Sequence, residues 1–198
     1  MSSPMMCRAL AVVFLAVVAG CGDDEPSSHS MSMGDGVAPE QLVVDGNYSD
    51  ERFIDMMAAH HQMATEMAIV EEQRGTRQEL RALATKMIQD QRQEIDELKA
   101  LKQAHFGSSD VPTMMSESEM QNSGMLMPNE LAQQPDVDKA FIDSMMPHHS
   151  GAIQMAAVAL RRSSIAEIRT LARRIIDAQA EEIGQMIAWR KAWYGSQP

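Results

Sequence analysis

Apolar residues recur at spacings of three and four in two stretches of the chain, and the second stretch repeats the first. Phe53, Met57, His60, Ala64 and Met67 form one stripe on a helix surface. Phe53-Ile54-Asp55-Met56-Met57-Ala58-Ala59-His60-His61 returns as Phe141-Ile142-Asp143-Ser144-Met145-Met146-Pro147-His148-His149, a shift of 88 residues. The same shift carries Met67-Ala68 onto Met155-Ala156, and Ile88, Gln91, Glu94 and Ile95 onto Ile176, Gln179, Glu182 and Ile183, with no insertion. Self-similarity of this length marks a duplicated structural unit.

Each copy reads as two helices. Thr76-Arg77-Gln78-Glu79 and Ser164-Ile165-Ala166-Glu167 have the form of capping boxes opening the second helices. Gly107 and Gly195, again 88 apart, stand where those helices stop. Leu80, Leu83, Met87, Ile88, Ile95, Leu98 and Leu101 supply the apolar face of one, and Ile168, Leu171, Ile175, Ile176, Ile183, Met186 and Ile187 that of the other. A single hairpin is too thin to bury its own stripe, so the expected fold is an all-α four-helix bundle built from two repeated helical hairpins, over 49–104 and 138–195. The Met-rich linker over 105–137 lets the second hairpin fold back on the first, and Ser116 to Asn122 is read as a short helix within it.

The N-terminal segment has another pattern. One positive charge, Arg8, precedes an apolar run from Ala9 to Ala19, and small residues then lead to Cys21. That is the plan of a signal peptide over 1–20. The run has about 11 residues where a spanning helix needs about 20, so removal is expected rather than anchoring. Val18-Ala19-Gly20-Cys21 has the form of a lipobox, with Cys21 as the lipidated residue, and 21–48 is expected to be a flexible tether rich in Gly, Ser, Asp and Pro. Cys7 leaves with the signal, so the exported domain holds no thiol and depends on its hydrophobic core. The expected location is the bacterial envelope, with the N-terminal lipid as the only membrane attachment. The formal net charge of −11 argues against nucleic acid as a partner; no protein partner can be named from it.

The repeat also carries the candidate chemistry. Met57 stands three and four residues before His60 and His61, and Met145 stands likewise before His148 and His149, so each thioether shares a helix face with two imidazoles. Adjacent histidines differ by about 100° around the axis, so one can point into the bundle while the other lies along a helix seam. Met63, Met67, Met146 and Met155 are close in sequence to the pairs. Thioether and imidazole suit copper, Cu(I) above all; silver is chemically similar, and zinc could use the histidines alone. Di-iron bundles place Glu three residues before His, a position taken here by methionine. Gln91, Glu94, Gln179 and Glu182 read either as partners that orient the rings or as solubilising surface. His29, Met31 and Met33 in the tether, and Met114, Met115, Met120, Met125 and Met127 in the linker, read equally as disordered surroundings or auxiliary metal capture. Methionine at helical spacing, as at Met87 and Met186, is core filling.

The Phe-Ile-Asp-x-Met-x-x-His-His pattern, the Met-Ala pair after it and the Gln-x-x-Glu-Ile of the following helix resemble the domain-of-unknown-function 305 family of secreted bacterial proteins. The resemblance spans about residues 49 to 195. It implies a ferritin-like bundle of two similar hairpins, with the family histidines at His60, His61, His148 and His149, and some members are linked with copper binding and copper resistance. The expected role is a non-enzymatic envelope lipoprotein that binds soft metal ions for sequestration, tolerance or transfer. Alternatives are a structural or adaptor bundle without metal, and a ferritin-like oxidoreductase, which the shortage of carboxylates disfavours.

Overall fold

The structure, a computed structural model, describes residues 42–116, 119–120 and 125–195. The signal segment, Cys21, His29, Met31 and Met33 lie outside the described residues, as does most of the short helix expected at Ser116 to Asn122. The helices are α1 (Asp50–Arg74), α2 (Gln78–Phe106), the single turn α3 (Pro128–Leu131), α4 (Val137–Arg162) and α5 (Ala166–Tyr194). The fold is the all-α four-helix bundle that the periodicity predicts. α1 packs along α2 and α4 along α5, and the hairpins meet mainly where α1 lies against α4.

The repeated stripe builds that centre. Phe53, Met57, Ala64 and Met67 are wholly buried, as are Phe141, Met145, Ala152 and Met155 88 positions on. Phe53 and Met57, near the start of α1, share an apolar cluster with Met155, Ala156 and Ala159, near the end of α4. Phe141 and Met145 share the other cluster with Ala64, Met67 and Ala68. The two central helices therefore run antiparallel, each contributing its early half to one cluster and its late half to the other. The second-helix faces are buried as expected except at the far end of α5, where Ile176 and Ile183 are half-buried and Ile187 is exposed.

One ion pair, with a buried cation and a partly exposed carboxylate, braces each hairpin. Lys102 Nζ lies 2.6 Å from Asp55 Oδ1, and Arg190 Nε lies 2.6 Å from Asp143 Oδ1. Both members of each pair obey the 88-residue shift, so the Asp of the Phe-Ile-Asp motif is a brace between first and second helices.

The expected capping boxes do not form. α2 begins after Arg77 and α5 after Ile165, and neither residue caps with its side chain. Asp138, in the first turn of α4, takes over at α2: it accepts from Thr76 N at 3.0 Å, Thr76 Oγ1 at 2.6 Å and Arg77 N at 2.9 Å. A carboxylate has more acceptor capacity than a hydroxyl and carries the charge that a helix N-terminus favours, so it displaces the local cap and ties the hairpins together. At α5, Ser163 Oγ accepts from Ile165 N at 3.0 Å. The glycine stops are found as expected, with left-handed φ of 81° at Gly107 and 83° at Gly195.

Order reaches into segments read as loose. Val43–Val44 (β1) and Asn47–Tyr48 (β2) form a small antiparallel hairpin around Asp45 (φ 52°) and Gly46 (φ 80°), the backbone that an Asp-Gly turn provides. Leu42 beside it is fully buried. In the linker, Met115 and Leu131 are buried and Val111, Met120 and Met125 pack against the core, whereas Met114 is exposed. Among the described residues no helix is long and apolar enough to cross a membrane.

One buried group at the hairpin junction is costly. Glu71 is wholly buried, its carboxyl occupying the space that a Cβ at Gly75 would take. Burial, reinforced by the neighbouring Asp138 carboxylate, pushes Glu71 up from 4.5 to about 9. Burial also works to raise Asp138, but the bonds from Thr76 and Arg77 outweigh it and hold Asp138 below the ordinary value. The folded chain thus keeps a proton on Glu71 that the unfolded chain releases, so this group lowers stability as pH rises from 4.5 towards 9. Glu71→Gln should raise the urea midpoint at about pH 8 and leave it little changed at about pH 4. A variant with the same pH profile as the parent would show that Glu71 is not held protonated.

Candidate metal centre

The histidine pairs form a polar layer between the two apolar clusters. All four rings are buried, none more than 1% exposed. His60 of α1 and His148 of α4 stack face to face across the bundle centre, with centroids 3.5 Å apart and planes inclined by 26°. His61 and His149 turn outward, their centroids 6.4 Å from His60 and 6.1 Å from His148 respectively. This is the division that adjacent helix positions predict: one ring enters the centre and its neighbour reaches the seam with the second helix. There His61 Nε2 meets Glu94 Oε2 at 2.8 Å, and His149 Nε2 meets Glu182 Oε2 at 2.7 Å. α4 continues through Pro147 directly before its pair.

The inner rings have no such partner. Among the described residues neither nitrogen of His60 nor of His148 has a hydrogen-bond partner, and Nδ1 of His61 and of His149 is also unpaired. The side-chain amides of Gln91 and Gln179 are buried in the same state. Each unmet buried polar group costs roughly 1–3 kcal/mol, so the layer is a concentrated weakness in an otherwise apolar core. Burial above all holds His60 and His148 well below the ordinary histidine value; the outer imidazoles of His61 and His149 lower His60 further, and those of His60, His149 and His61 lower His148 further. The two rings are therefore neutral at physiological pH, the form that donates a lone pair to a metal.

The methionines divide around this layer. Met57, Met63 and Met155 lie in one apolar cluster and Met67 and Met145 in the other, with half-buried Met146 packed against the second. Both clusters thus combine a methionine preceding one histidine pair with a methionine following the other. Among the described residues no three His, Cys, Asp or Glu side chains form a group able to hold a metal ion. The soft donors present are imidazole in the layer and thioether in the flanking clusters. Of the carboxyl and amide residues that the repeat singled out, Glu94 and Glu182 are ring partners and Gln91 and Gln179 lie buried without partners, so none merely solubilises the surface.

The family model described as "Domain of unknown function (DUF305)" matches residues 22–102 and 138–198, taking in both histidine pairs and both second helices. The chain belongs to the DUF305 family. The solved structure of CopM in the Cu(II)-bound form is 36% identical to this DUF305 protein, with a TM-score of 0.68, over 75% of this chain and 99% of CopM. CopM in the Cu(I)-bound form is 35% identical, with a TM-score of 0.66, over 75% and 100% of the two chains. CopM has also been solved in Ag-bound form. A DUF305 fragment from Deinococcus radiodurans is 26% identical, with a TM-score of 0.60, over 69% of this chain and 91% of the fragment. No curated protein sequence matches the chain.

Among the described residues the outer carboxylates are the polar partners of the layer, which makes their loss informative. Glu182→Ala leaves the His149 ring with both nitrogens unmet in a site whose side chain is fully buried. A loss of roughly 1–3 kcal/mol in urea unfolding is expected, with a similar value for Glu94→Ala. Losses near zero in both would show that the two bonds do not hold the rings.

Proposed function

We propose that this protein binds soft metal ions, copper above all and Cu(I) in preference, and that it sequesters them or passes them on without turnover. His60, His61, His148 and His149 supply imidazole, and Met57, Met145, Met63, Met67, Met146 and Met155 supply thioether. Silver fits the same donors, and zinc fits the histidines alone. The observation that carries the reading is the stacked pair His60 and His148, two neutral buried rings whose nitrogens have no partner among the described residues. An ion bound at their edges satisfies lone pairs that the fold leaves unmet. Ring lone pairs lie in the ring plane, so one ion cannot sit between the stacked faces, and ligation enlists thioethers around each ring. The copper- and silver-bound forms of CopM support the choice of metal. The role belongs at the cell envelope, with Cys21 as a lipid anchor.

The two Glu-bound rings favour a second reading, in which the layer only cross-links the helices. The readings part on binding. Competition with a chromogenic Cu(I) chelator should show tight binding by the parent, falling at least about a hundredfold when all four histidines become alanine. Unchanged affinity in that variant sinks the copper reading.

They part again on stability. Because the inner rings leave their nitrogens unmet, replacing both by leucine (His60→Leu with His148→Leu) should keep or raise the metal-free stability, by up to about 3 kcal/mol, while abolishing the rise in melting temperature on adding Cu(I). A strongly destabilised double variant, with no metal effect in the parent, would favour the structural reading.

A further inference from the structure

The buried rings raise the question of how an ion reaches them, and this inference rests on the metal-binding reading above. Glu94 and Glu182 each touch a ring and reach solvent: they are 14% and 7% exposed, whereas His61 and His149 side chains are fully buried. Both carboxylates sit on the second helices, α2 and α5, which pack on each other only lightly compared with α1 on α4. The two ends of this seam are equivalent by the repeat but differ in structure. At the Glu94 end, Arg174 of α5 crosses to Glu97 of α2 through two hydrogen bonds, one of 3.3 Å, and closes the seam. At the Glu182 end the corresponding positions are Lys86 and Gln185. Lys86 pairs along its own helix with Asp90, so no bridge formed by these positions crosses. A groove of about 320 Å³ opens there, lined by Glu79, Ala82, Lys86, Glu181, Glu182 and Trp189 among others.

We propose that this groove is the port through which a metal cation enters the histidine layer, with Glu182 as the carboxylate that meets the ion first and hands it to His149. Glu79, Glu181 and Glu182 outnumber the one cation of the lining, Lys86, which is paired with Asp90, so the groove favours a cation, and Glu182 joins it to the ring through its 2.7 Å contact. The opposite end of the seam is latched by the Arg174 and Glu97 pair.

Ala82 is exposed on the groove wall, and the repeat places Thr170, also exposed, at the latched end. Stopped-flow mixing with Ag(I) nitrate in chloride-free buffer, followed by tryptophan emission, gives the uptake rate; equilibrium titration gives the affinity. Ala82→Phe should slow uptake about tenfold with affinity unchanged, and Thr170→Phe should leave both unchanged. Arg174→Gln, which removes only an exposed bridge, should speed uptake up to about twofold by opening the second end. Equal uptake rates in the parent and Ala82→Phe, or equal slowing by Thr170→Phe, overturn the port while leaving the metal reading intact. An unchanged rate in Arg174→Gln overturns the latch and with it the assignment of a single port. No Ag(I) uptake by the parent at equilibrium refutes the metal reading itself.

Discussion

Two neutral imidazoles stacked at the centre of an apolar bundle are the constraint around which the rest of this protein is arranged. Packed cores favour groups without polar atoms, and a buried polar group is tolerated when its partners are supplied. Here the inner rings have none among the described residues, and two buried amides share that state. The surrounding structure must then hold the layer closed from outside. It does so with apolar clusters on both sides, with carboxylates on the outer rings, and with an ion pair bracing each hairpin.

Duplication explains why the layer sits where it does. Two antiparallel copies of one helix meet their own equivalents at a single level and meet different residues everywhere else. His60 and His148 occupy that level; a residue seven places later, Met67 or Met155, instead joins the cluster of the opposite copy's leading methionine. One helix bearing one histidine pair therefore yields, when doubled, a centre with four imidazoles flanked by thioethers from both copies. Ala59 and Pro147 differ between the copies just before the pairs, yet both helices run on and both rings reach the centre, so the preceding residue does not set the geometry.

Much of this is legible in the sequence because it is local or repeated. Helical spacing places the stripe, the shift of 88 residues reveals the duplication, and adjacency alone predicts that one ring of each pair turns in and the other out. The same shift relates Lys102 to Arg190 and Asp55 to Asp143, a matched set of opposite charges that could have announced the braces but was not read as such. What escaped depends on distant partners or on competition. The hydroxyl caps at Thr76 and Ser164 follow correct local rules, but Asp138, 62 residues from Thr76, offers α2 a stronger acceptor, and no local pattern announces it. The Asp45-Gly46 turn carries an ordinary hairpin signal, masked by a segment whose composition reads as a tether. The sorting of methionines between the two clusters requires the crossing of α1 and α4, which spacing within one helix does not contain.

The repeat is imperfect, and its departures concern access more than geometry. Most positions around the layer are kept: His with His, Gln with Gln, Glu with Glu, Met57 with Met145 and Met67 with Met155, whereas Met63 matches Gly151 and Met146 matches Ala58. Positions at the two ends of the α2 and α5 seam are not, since Lys86 and Gln185 on one end correspond to Arg174 and Glu97 on the other. Arginine presents a planar fork that grips a carboxylate in two places, whereas lysine is a point charge that a neighbour one helical turn away can satisfy. Changing these residues closes one end of the seam and leaves the other open without disturbing a single ring contact. A symmetric site reached from one side retains an ion longer than one open at both ends, because departure has half as many routes. Asymmetry at the seam is thus a means of tuning exchange separately from affinity.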